Sequence, residues 1–272
     1  HLHLTIGCSL LLLAASPAQA KTHHLFSPTP KQAMREMSTD RPDGTESPIT
    51  VDAGHVQVEL SFFDFTRNSG GGSDVTQWVL FDTTFKVGVL NFADLQLVFA
   101  PYTIVLAEDA AGEEQTTKGF ADITLRLKFN IWGNDGTGAT ALGVLPFVKI
   151  PTHTNLSNGN TEGGVAVMLT WDLLPWLGLG TMSEVDLVYE AVDDDYTAEY
   201  VHTLVLGAGI IGPLGGFVEY IGAAGSGDYR AVLSSGLTFG VGANLQLDAA
   251  VQIGLSEAAD DIKFFIGASA RL

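Results

Sequence analysis

The chain has 272 residues, a formal net charge of −18 and only 16% charged residues. A soluble domain normally carries about a quarter charged residues, and a mean hydropathy of +0.24 is high for an acidic protein. This balance argues against a water-exposed surface all round, and it excludes nucleic acid as a partner, because phosphate binding needs clustered Lys and Arg. One barrel or sandwich can occupy roughly 250 residues, so the length does not require two domains.

The first twenty residues have the pattern of an export signal. Leu10 to Ala15 form a short apolar block, and Ala18-Gln19-Ala20 is a small-x-small cleavage pattern. We expect residues 1–20 to be a secretory signal peptide, cleaved before Lys21. Cys8 would leave with it, so the mature chain would contain no disulfide.

Residues 21–53 are polar and rich in proline, and they allow two interpretations. The segment contains four charged residues suited to pairing with opposite charges on the remainder of the chain: Asp40, Arg41, Asp43 and Glu46. If the residues that follow close into a membrane barrel, we expect this segment to fold into its periplasmic end as a plug. The alternative is a disordered periplasmic tail, which the composition also allows.

From residue 54 onward, apolar and polar side chains alternate in blocks of about ten. In the clearest block Ile123, Leu125 and Leu127 lie on one face of a strand, and Thr124, Arg126 and Lys128 lie on the other. In a second block, Val79, Phe81, Phe85 and Val87 are expected to share the apolar face. The blocks predict twelve strands near 54–66, 75–89, 93–105, 119–132, 139–151, 163–173, 177–190, 198–210, 215–223, 229–241, 245–255 and 261–272.

The connections between these strands differ in length from one end to the other. Those after the even-numbered strands are short, as at Leu174-Pro175-Trp176, whereas those after the odd-numbered strands are mostly longer and acidic, as in residues 107–118 and 152–162. An even strand number with short turns on one rim is typical of an outer-membrane barrel. The predicted fold class is therefore all-β: a transmembrane up-and-down antiparallel β-barrel over residues 54–272. A soluble β-sandwich, which would bury the apolar face instead, is the alternative.

The polar face of the strands would line the lumen. The candidate residues there, which could contact solutes, are Glu59, Asp82, Lys86, Arg126, Lys128, Lys149, Glu184, Asp186, Glu219, Asp248 and Arg271. They could form a charge-lined constriction that selects solutes, or they could simply pair across the wall and fill the barrel. Twelve strands give a backbone diameter of about 24 Å, which leaves a narrow bore.

No pattern for a cofactor or a metal is present, and we expect none. The acidic loops could bind calcium or magnesium and so bridge to lipopolysaccharide, although no spaced calcium pattern occurs and a solvated surface is the simpler interpretation. His153, Asn155 and Ser157 share one loop and could in principle form a hydrolytic set. That loop is rich in glycine and asparagine and lacks rigid support, so we predict no catalysis.

The stretch at 38–48, Ser-Thr-Asp-Arg-Pro-Asp-Gly-Thr-Glu-Ser-Pro, resembles the entry motif of a family of outer-membrane transporters labelled as a putative MetA-pathway of phenol degradation. Lys118 to Lys128, Pro146 to Thr152, Glu162-Gly163-Gly164 and Glu184-Val185-Asp186 also resemble that family. The resemblance covers essentially the whole mature chain, and it implies a barrel with a transport-like role.

Together these features predict a porin-like outer-membrane protein that passes small solutes, aromatic or hydrophobic ones among them, by passive diffusion. Its expected partners are outer-membrane lipid and lipopolysaccharide, the barrel-assembly machinery and the solute. The alternative is a structural or adhesive surface barrel with a closed lumen.

Overall fold

The computed structural model describes residues 23–70, 72–191 and 193–272. The expected signal peptide and Cys8 lie outside the described residues. Within the described ranges the chain forms one short 3-10 helix, Lys31–Ala33, and fifteen strands: β1 Val56–Gly70, β2 Ser73–Leu80, β3 Thr83–Leu90, β4 Ala93–Phe99, β5 Tyr102–Glu108, β6 Glu114–Gly119, β7 Ile123–Trp132, β8 Thr140–Ile150, β9 Glu162–Leu174, β10 Leu177–Glu190, β11 Asp195–Ile211, β12 Leu214–Ala224, β13 Arg230–Gly240, β14 Leu245–Gly254 and β15 Ile262–Arg271.

The strands form one antiparallel sheet that closes on itself. From β7 to β15 each strand pairs with the next one in the chain, and β15 pairs with β1 along Gln57–Arg67. Three pairs of consecutive strands, β2 with β3, β4 with β5 and β6 with β7, each run on as one interrupted span. The fifteen strands therefore make twelve spans, and the predicted twelve-stranded up-and-down barrel is confirmed.

The predicted strand positions are mostly correct. The strand expected at 177–190 is β10, and most other ends differ by a few residues. Two details were wrong. The predicted strands 75–89, 93–105 and 119–132 are each interrupted, and the stretch 107–118, predicted to be a loop, contains most of β6.

The interruptions reverse which face of the strand points outward. In β2 the exposed Trp78 lies opposite Phe65, whereas Val79 lies opposite the buried Asp64 and so points inward. In β2 the even-numbered residues therefore point outward. In β3 they point inward, because Lys86 is buried and Phe85 is exposed. The expectation that Val79 and Phe85 share one apolar face was therefore wrong. Residue 81, between β2 and β3, has a positive φ of 60°, and this local departure from strand geometry accommodates the switch.

Burial in this barrel is inverted relative to a soluble protein. Large aliphatic side chains face outward, such as Leu204 (51% exposed) and Val218 (54%). Charged side chains face inward and are nearly inaccessible, such as Lys128 and Glu219, each 1% exposed. A soluble sandwich would bury the first set and expose the second.

Aromatic side chains are exposed at both rims of the barrel. Phe92, Trp132 and Trp176 lie beside the short turns, whereas Tyr196, Tyr200 and Tyr229 lie near the rim with the longer loops. Two such belts are typical of barrels that span a membrane, where aromatic rings lie at the headgroup level. No helix among the described residues is long and apolar enough to cross a membrane.

Candidate functional site

The chain before β1 runs through the interior of the barrel. Residues 35–52 make hydrogen bonds to inward-facing side chains of strands on all sides, among them β1, β3, β7, β12 and β14. We call residues 23–55 the inner segment. It has too few aliphatic side chains for a core of its own, and polar contacts with the wall hold it in place.

Asp40 lies at the centre of these contacts. Lys128 Nζ is 2.7 Å from each carboxylate oxygen of Asp40, and Lys86 also bonds to this carboxylate. The Asp40 N–H is directed at the carboxylate of Glu59, at 3.1 and 3.2 Å, and that carboxylate in turn pairs with Lys86. Burial alone would raise the pKa of Asp40, but Lys128 and Lys86 reverse this and hold the pKa well below its usual range.

Glu46 forms a second ion pair on the same side of the barrel. Its carboxylate is 2.6 Å from Arg126 Nη1 and 3.5 Å from Lys128 Nζ. Burial and the nearby charge of Asp40 raise the pKa of Glu46, while Arg126 opposes that shift. Nearby, Asn130 Nδ2 donates to the Pro48 carbonyl at 2.9 Å. Strands β3 and β7 thus bind the inner segment mainly through buried charges.

Across the lumen, Arg41 and Thr45 hold the segment to β11, β12 and β14. Arg41 Nη2 lies 2.7 Å from Asp248 Oδ1. Thr45 Oγ1 donates to Glu219 Oε1 at 2.6 Å and lies 2.6 Å from Thr203 Oγ1. The backbone N–H of Gly44 donates to Glu219 Oε2 at 2.8 Å. Glu219 is therefore a buried carboxylate whose hydrogen bonds from the inner segment come from one turn.

A third cluster lies near the rim with the short turns. Asp52 pairs with Arg35 at 2.8 Å and with Arg271 at 3.2 Å. Arg35 also donates to the backbone carbonyls of Thr50 and Asn134. These bonds fix both ends of the inner segment's polar stretch to the barrel wall.

The structure brings most of the predicted luminal and inner-segment residues together. The exceptions lie apart from these clusters. Lys149 pairs with Glu162 and with Asp122 (3.4 Å) where β8 and β9 end at the long-loop rim. Glu184 and Asp186 face inward from β10, and Asp82 lies in the interruption before β3. Asp43 has no ion pair within the described part of the chain, and burial together with the charge of Glu219 raises its pKa.

Sequence reasoning missed Arg35, Asp52, Asp94 and Thr203. Asp94 Oδ2 accepts the Val51 N–H at 2.9 Å, and the other three make the contacts described above. Asp94 and Thr203 occupy lumen-facing positions in the alternation of their strands, so the alternation pattern could have identified them. Arg35 and Asp52 lie in an irregular segment, where no period indicates direction.

The inner segment leaves two cavities on one side of the lumen. A lower cavity of about 510 Å³ lies between residues 38–49 and β9–β14, near the short turns. An upper cavity of about 230 Å³ is lined by β11–β14 and by residues before and within β15. No hydrogen bond joins His153 to Ser157, and no group of three metal-ligating side chains forms among residues 23–70, 72–191 and 193–272.

Solved structures similar to this one are outer-membrane barrels. The COG4313 outer membrane channel from Pseudomonas putida F1 aligns with a TM-score of 0.64 at 11% identity, over 86% of this chain and 100% of that one. The NanC porin aligns at 0.50 and 11% identity, over 80% and 100%. The β domain of the Bordetella autotransporter BrkA aligns at 0.52 and 12%, over 80% and 99%. At these identities the likeness establishes the fold alone.

No curated protein matches the sequence. A family model described as "Putative MetA-pathway of phenol degradation" matches residues 39–272, which include both the inner-segment motif and the entire barrel. The chain therefore belongs to the family of that description, as the motif at residues 38–48 had indicated.

Proposed function

We propose that this protein is an outer-membrane channel through which small solutes, aromatic and hydrophobic ones among them, cross by passive diffusion. The observation that carries the proposal is the inverted burial: a closed barrel with exposed aliphatic side chains outside and buried charges inside. In hydrocarbon every backbone N–H and C=O must be paired, and a closed barrel meets that requirement. The channel and porin among its structural neighbours support the transport role.

The inner segment is proposed to act as a plug that narrows the lumen and selects what passes. Its contacts with the predicted luminal residues support this: Asp40 with Lys86 and Lys128, Arg41 with Asp248, and Glu46 with Arg126. The luminal charges then mainly bind the plug and only partly face solute. The two cavities on the β9–β14 side offer space for a solute.

Further proposals concern how the protein reaches the outer membrane and how it is oriented there. The protein would be exported by the signal peptide and inserted by the barrel-assembly machinery, and its acidic loops would face the lipopolysaccharide leaflet. We also propose that it is not an enzyme. His153, Asn155 and Ser157 lie in a loop in which no hydrogen bond joins His153 to Ser157 among the described contacts.

A second candidate is a structural or adhesive surface barrel with a closed lumen. The observation that favours it is the extent to which the inner segment fills the interior, since Lys86, Lys128 and Glu219 are each at most 2% exposed. In that case the acidic outer loops would carry the function.

Uptake by whole cells tests the proposal. Lipopolysaccharide slows the entry of hydrophobic molecules, so porin-deficient cells with and without the protein are compared for uptake of radiolabelled phenol and toluene. A channel raises the uptake of at least one probe above that of cells without it. Uptake of both probes equal to that of the control cells favours the closed surface barrel.

A further inference from the structure

The two cavities lie one above the other along the same part of the wall. On β11 the upper cavity touches Val201 and the lower one touches Val205. On β12 the upper cavity touches Ile221 and the lower one touches Phe217. Strands β13 and β14 also line both cavities. A solute that followed this wall would meet both cavities in turn.

On β11 and β12 a single inward-facing side chain separates the cavities. Thr203 is the inward-facing residue between Val201 and Val205, and Glu219 is the one between Phe217 and Ile221. Both are buried, at 3% and 1% exposed, and Ser234 on β13 continues the layer at 0%. The separation is therefore one inward residue thick on β11 and β12, whereas on β13 and β14 two inward residues lie between the cavities: Ser234 with Gly236, and Asp248 with Ala250.

The inner segment completes this layer with one turn. Thr45 and Gly44 donate their hydrogen bonds to Glu219. Because the one hydroxyl proton of Thr45 goes to Glu219, the Thr203 hydroxyl donates to Thr45. A Cβ on Gly44 would lie 2.9 Å from Ile221 Cδ1, so the turn fits closely against the wall.

The remainder of the segment is held differently. Asp40 and Glu46 bind β3 and β7 through ion pairs with nearly inaccessible lysines, whereas the turn at residues 44–45 is held by three hydrogen bonds. If Asp40 and Glu46 moved away, buried Lys128 would lose both of its carboxylate partners, and leaving a buried charge unpaired is strongly destabilising. Movement of the turn breaks hydrogen bonds and no ion pair. The turn is thus a weaker attachment than the ion pairs.

We propose that solutes cross by way of the two cavities and that the turn at Gly44–Thr45 is the gate between them. The turn opens locally while the ion-paired side of the inner segment stays in place. Glu219 then favours solutes that carry a hydrogen-bond donor. This proposal rests on the channel function proposed above. It assigns the specificity of the channel to a residue of β12 and to one turn of the inner segment.

The chemistry of Glu219 gives the reason for the preference. When the turn moves away, a buried carboxylate loses two donors, which is unfavourable in a site of low polarity. A passing hydroxyl or ammonium group replaces a donor at Glu219, whereas a hydrocarbon replaces none and a carboxylate is repelled. The solute body meets Val201, Ile221 and Val232 in the upper cavity. At about 230 Å³ that cavity is smaller than the ~300–1,000 Å³ typical of drug-sized pockets, so the solute is a small molecule of about one ring.

Two reversible disulfide locks separate local gating from release of the whole segment. Residues 23–272 contain no cysteine, so each introduced pair is unambiguous. Thr45→Cys with Thr203→Cys joins the turn to the wall, where the two hydroxyl oxygens are 2.6 Å apart. Pro48→Cys with Gly143→Cys joins the segment to β8, where the two Cβ positions are 3.1 Å apart. The first spacing is close to that of a disulfide. The second is shorter than the usual Cβ–Cβ distance of roughly 3.5–4.5 Å, so the inner segment must shift slightly away from β8 to accept that bond.

Phenol and toluene, which share a ring and differ in the hydroxyl donor, serve as probes in cells that express each variant. We expect the oxidised Thr45–Thr203 lock to reduce uptake of phenol to the level of cells without the protein, and reductant to restore it. The oxidised Pro48–Gly143 lock keeps the uptake of the unlocked protein. Continued uptake through the first lock, or loss of uptake in the second, overturns local gating.

The selectivity is tested in Glu219→Leu, with folding verified by heat-modifiable migration on SDS gels. We expect the ratio of phenol to toluene uptake to fall relative to the unmodified protein, and an unchanged ratio overturns the role of Glu219. If the unmodified protein raises uptake of neither probe, the channel function itself fails, which is a different result from failure of either lock.

Discussion

Lys128 Nζ lies 2.7 Å from both carboxylate oxygens of Asp40, although 88 positions separate the two residues in the chain. Lys86 approaches the same carboxylate from a different strand, β3. One side chain of the inner segment thus pairs with two buried lysines of the barrel wall, and the wall and the segment depend on each other electrostatically.

The first prediction concerns Asp40→Asn. The substitution leaves two buried lysines with only Glu59 and Glu46 as carboxylate partners, and breaking a buried pair in this way costs about 3–5 kcal/mol. We expect the inner segment to leave the lumen more often, which planar-bilayer recordings would show as higher mean conductance. Asp74→Asn is the matched control, because the Arg67–Asp74 pair is about half exposed on both sides. Equal conductance in the two variants would contradict the prediction.

The second prediction concerns deletion of residues 22–50. If these residues narrow the lumen, their removal widens the bore and raises single-channel conductance well above that of the complete protein. The deleted protein must still show heat-modifiable migration, which reports a closed barrel. An unchanged current in a folded deletion variant would falsify the plug role.

The third prediction concerns pH. The lysines lower the pKa of Asp40, so its contribution to docking is fully present above its usual pKa near 3.8 and is lost only as the pH falls through the lowered value. The pKa values of Asp43 and Glu46 are raised, chiefly by burial, so these carboxyls become neutral first and repel their neighbours less. We therefore expect conductance to stay constant or fall between pH 7 and pH 4.5. A rise over this range would show that mild acid releases the segment.

The fourth prediction concerns the lower cavity. An ideal Cβ on Gly207 meets no heavy atom within 4 Å, because the inward side of this glycine borders the cavity. Gly207→Phe is therefore expected to fold normally, to fill part of the cavity and to reduce conductance. Gly227→Phe is the control, since its Cβ also meets nothing within 4 Å but lies in the loop between β12 and β13. A current in Gly207→Phe equal to that of the control would place the route elsewhere.

The fifth prediction concerns the fold itself. An outer-membrane barrel resists unfolding by SDS in the cold, so boiled and unboiled samples migrate differently. We expect this shift in an outer-membrane fraction. A purified mature chain that stays monomeric in buffer without detergent would argue instead for a soluble β fold, since the exposed aliphatic face would otherwise drive aggregation.

The sequence was most informative where both faces of a strand have distinct surroundings. Alternation located β10 to the residue, because lipid-facing Val185 and Leu187 flank the inward Asp186. It failed for β6, Glu-Gln-Thr-Thr-Lys-Gly, where five consecutive polar residues show no alternation of polarity. A period-two pattern signals a strand only where one face is apolar.

The candidate site was predictable only in part. Strand parity identified Lys86, Lys128 and Glu219 as inward-facing, and the structure shows each of them buried. It could not show that Asp40 would meet Lys128 or that Arg41 would meet Asp248, because these pairings depend on barrel closure and strand tilt. Which side of the lumen would remain open depends on the same geometry.

The interruptions in the first spans limit which insertions and deletions this barrel can tolerate. The register shift between Ser61 and Phe63 and the breaks at 81–82, 100–101 and 120–122 lie on neighbouring spans. At each irregularity the positions that face the lumen change between odd and even residue numbers. The inward faces of neighbouring spans therefore match only while all four irregularities persist. A single one-residue deletion near Phe81 would exchange the inward and outward faces in one half of that span, while the neighbouring spans keep theirs. Polar side chains of that half would then face lipid. Descendants of this chain should therefore gain or lose the four irregularities as a set, and designers who straighten this wall must edit these four spans together.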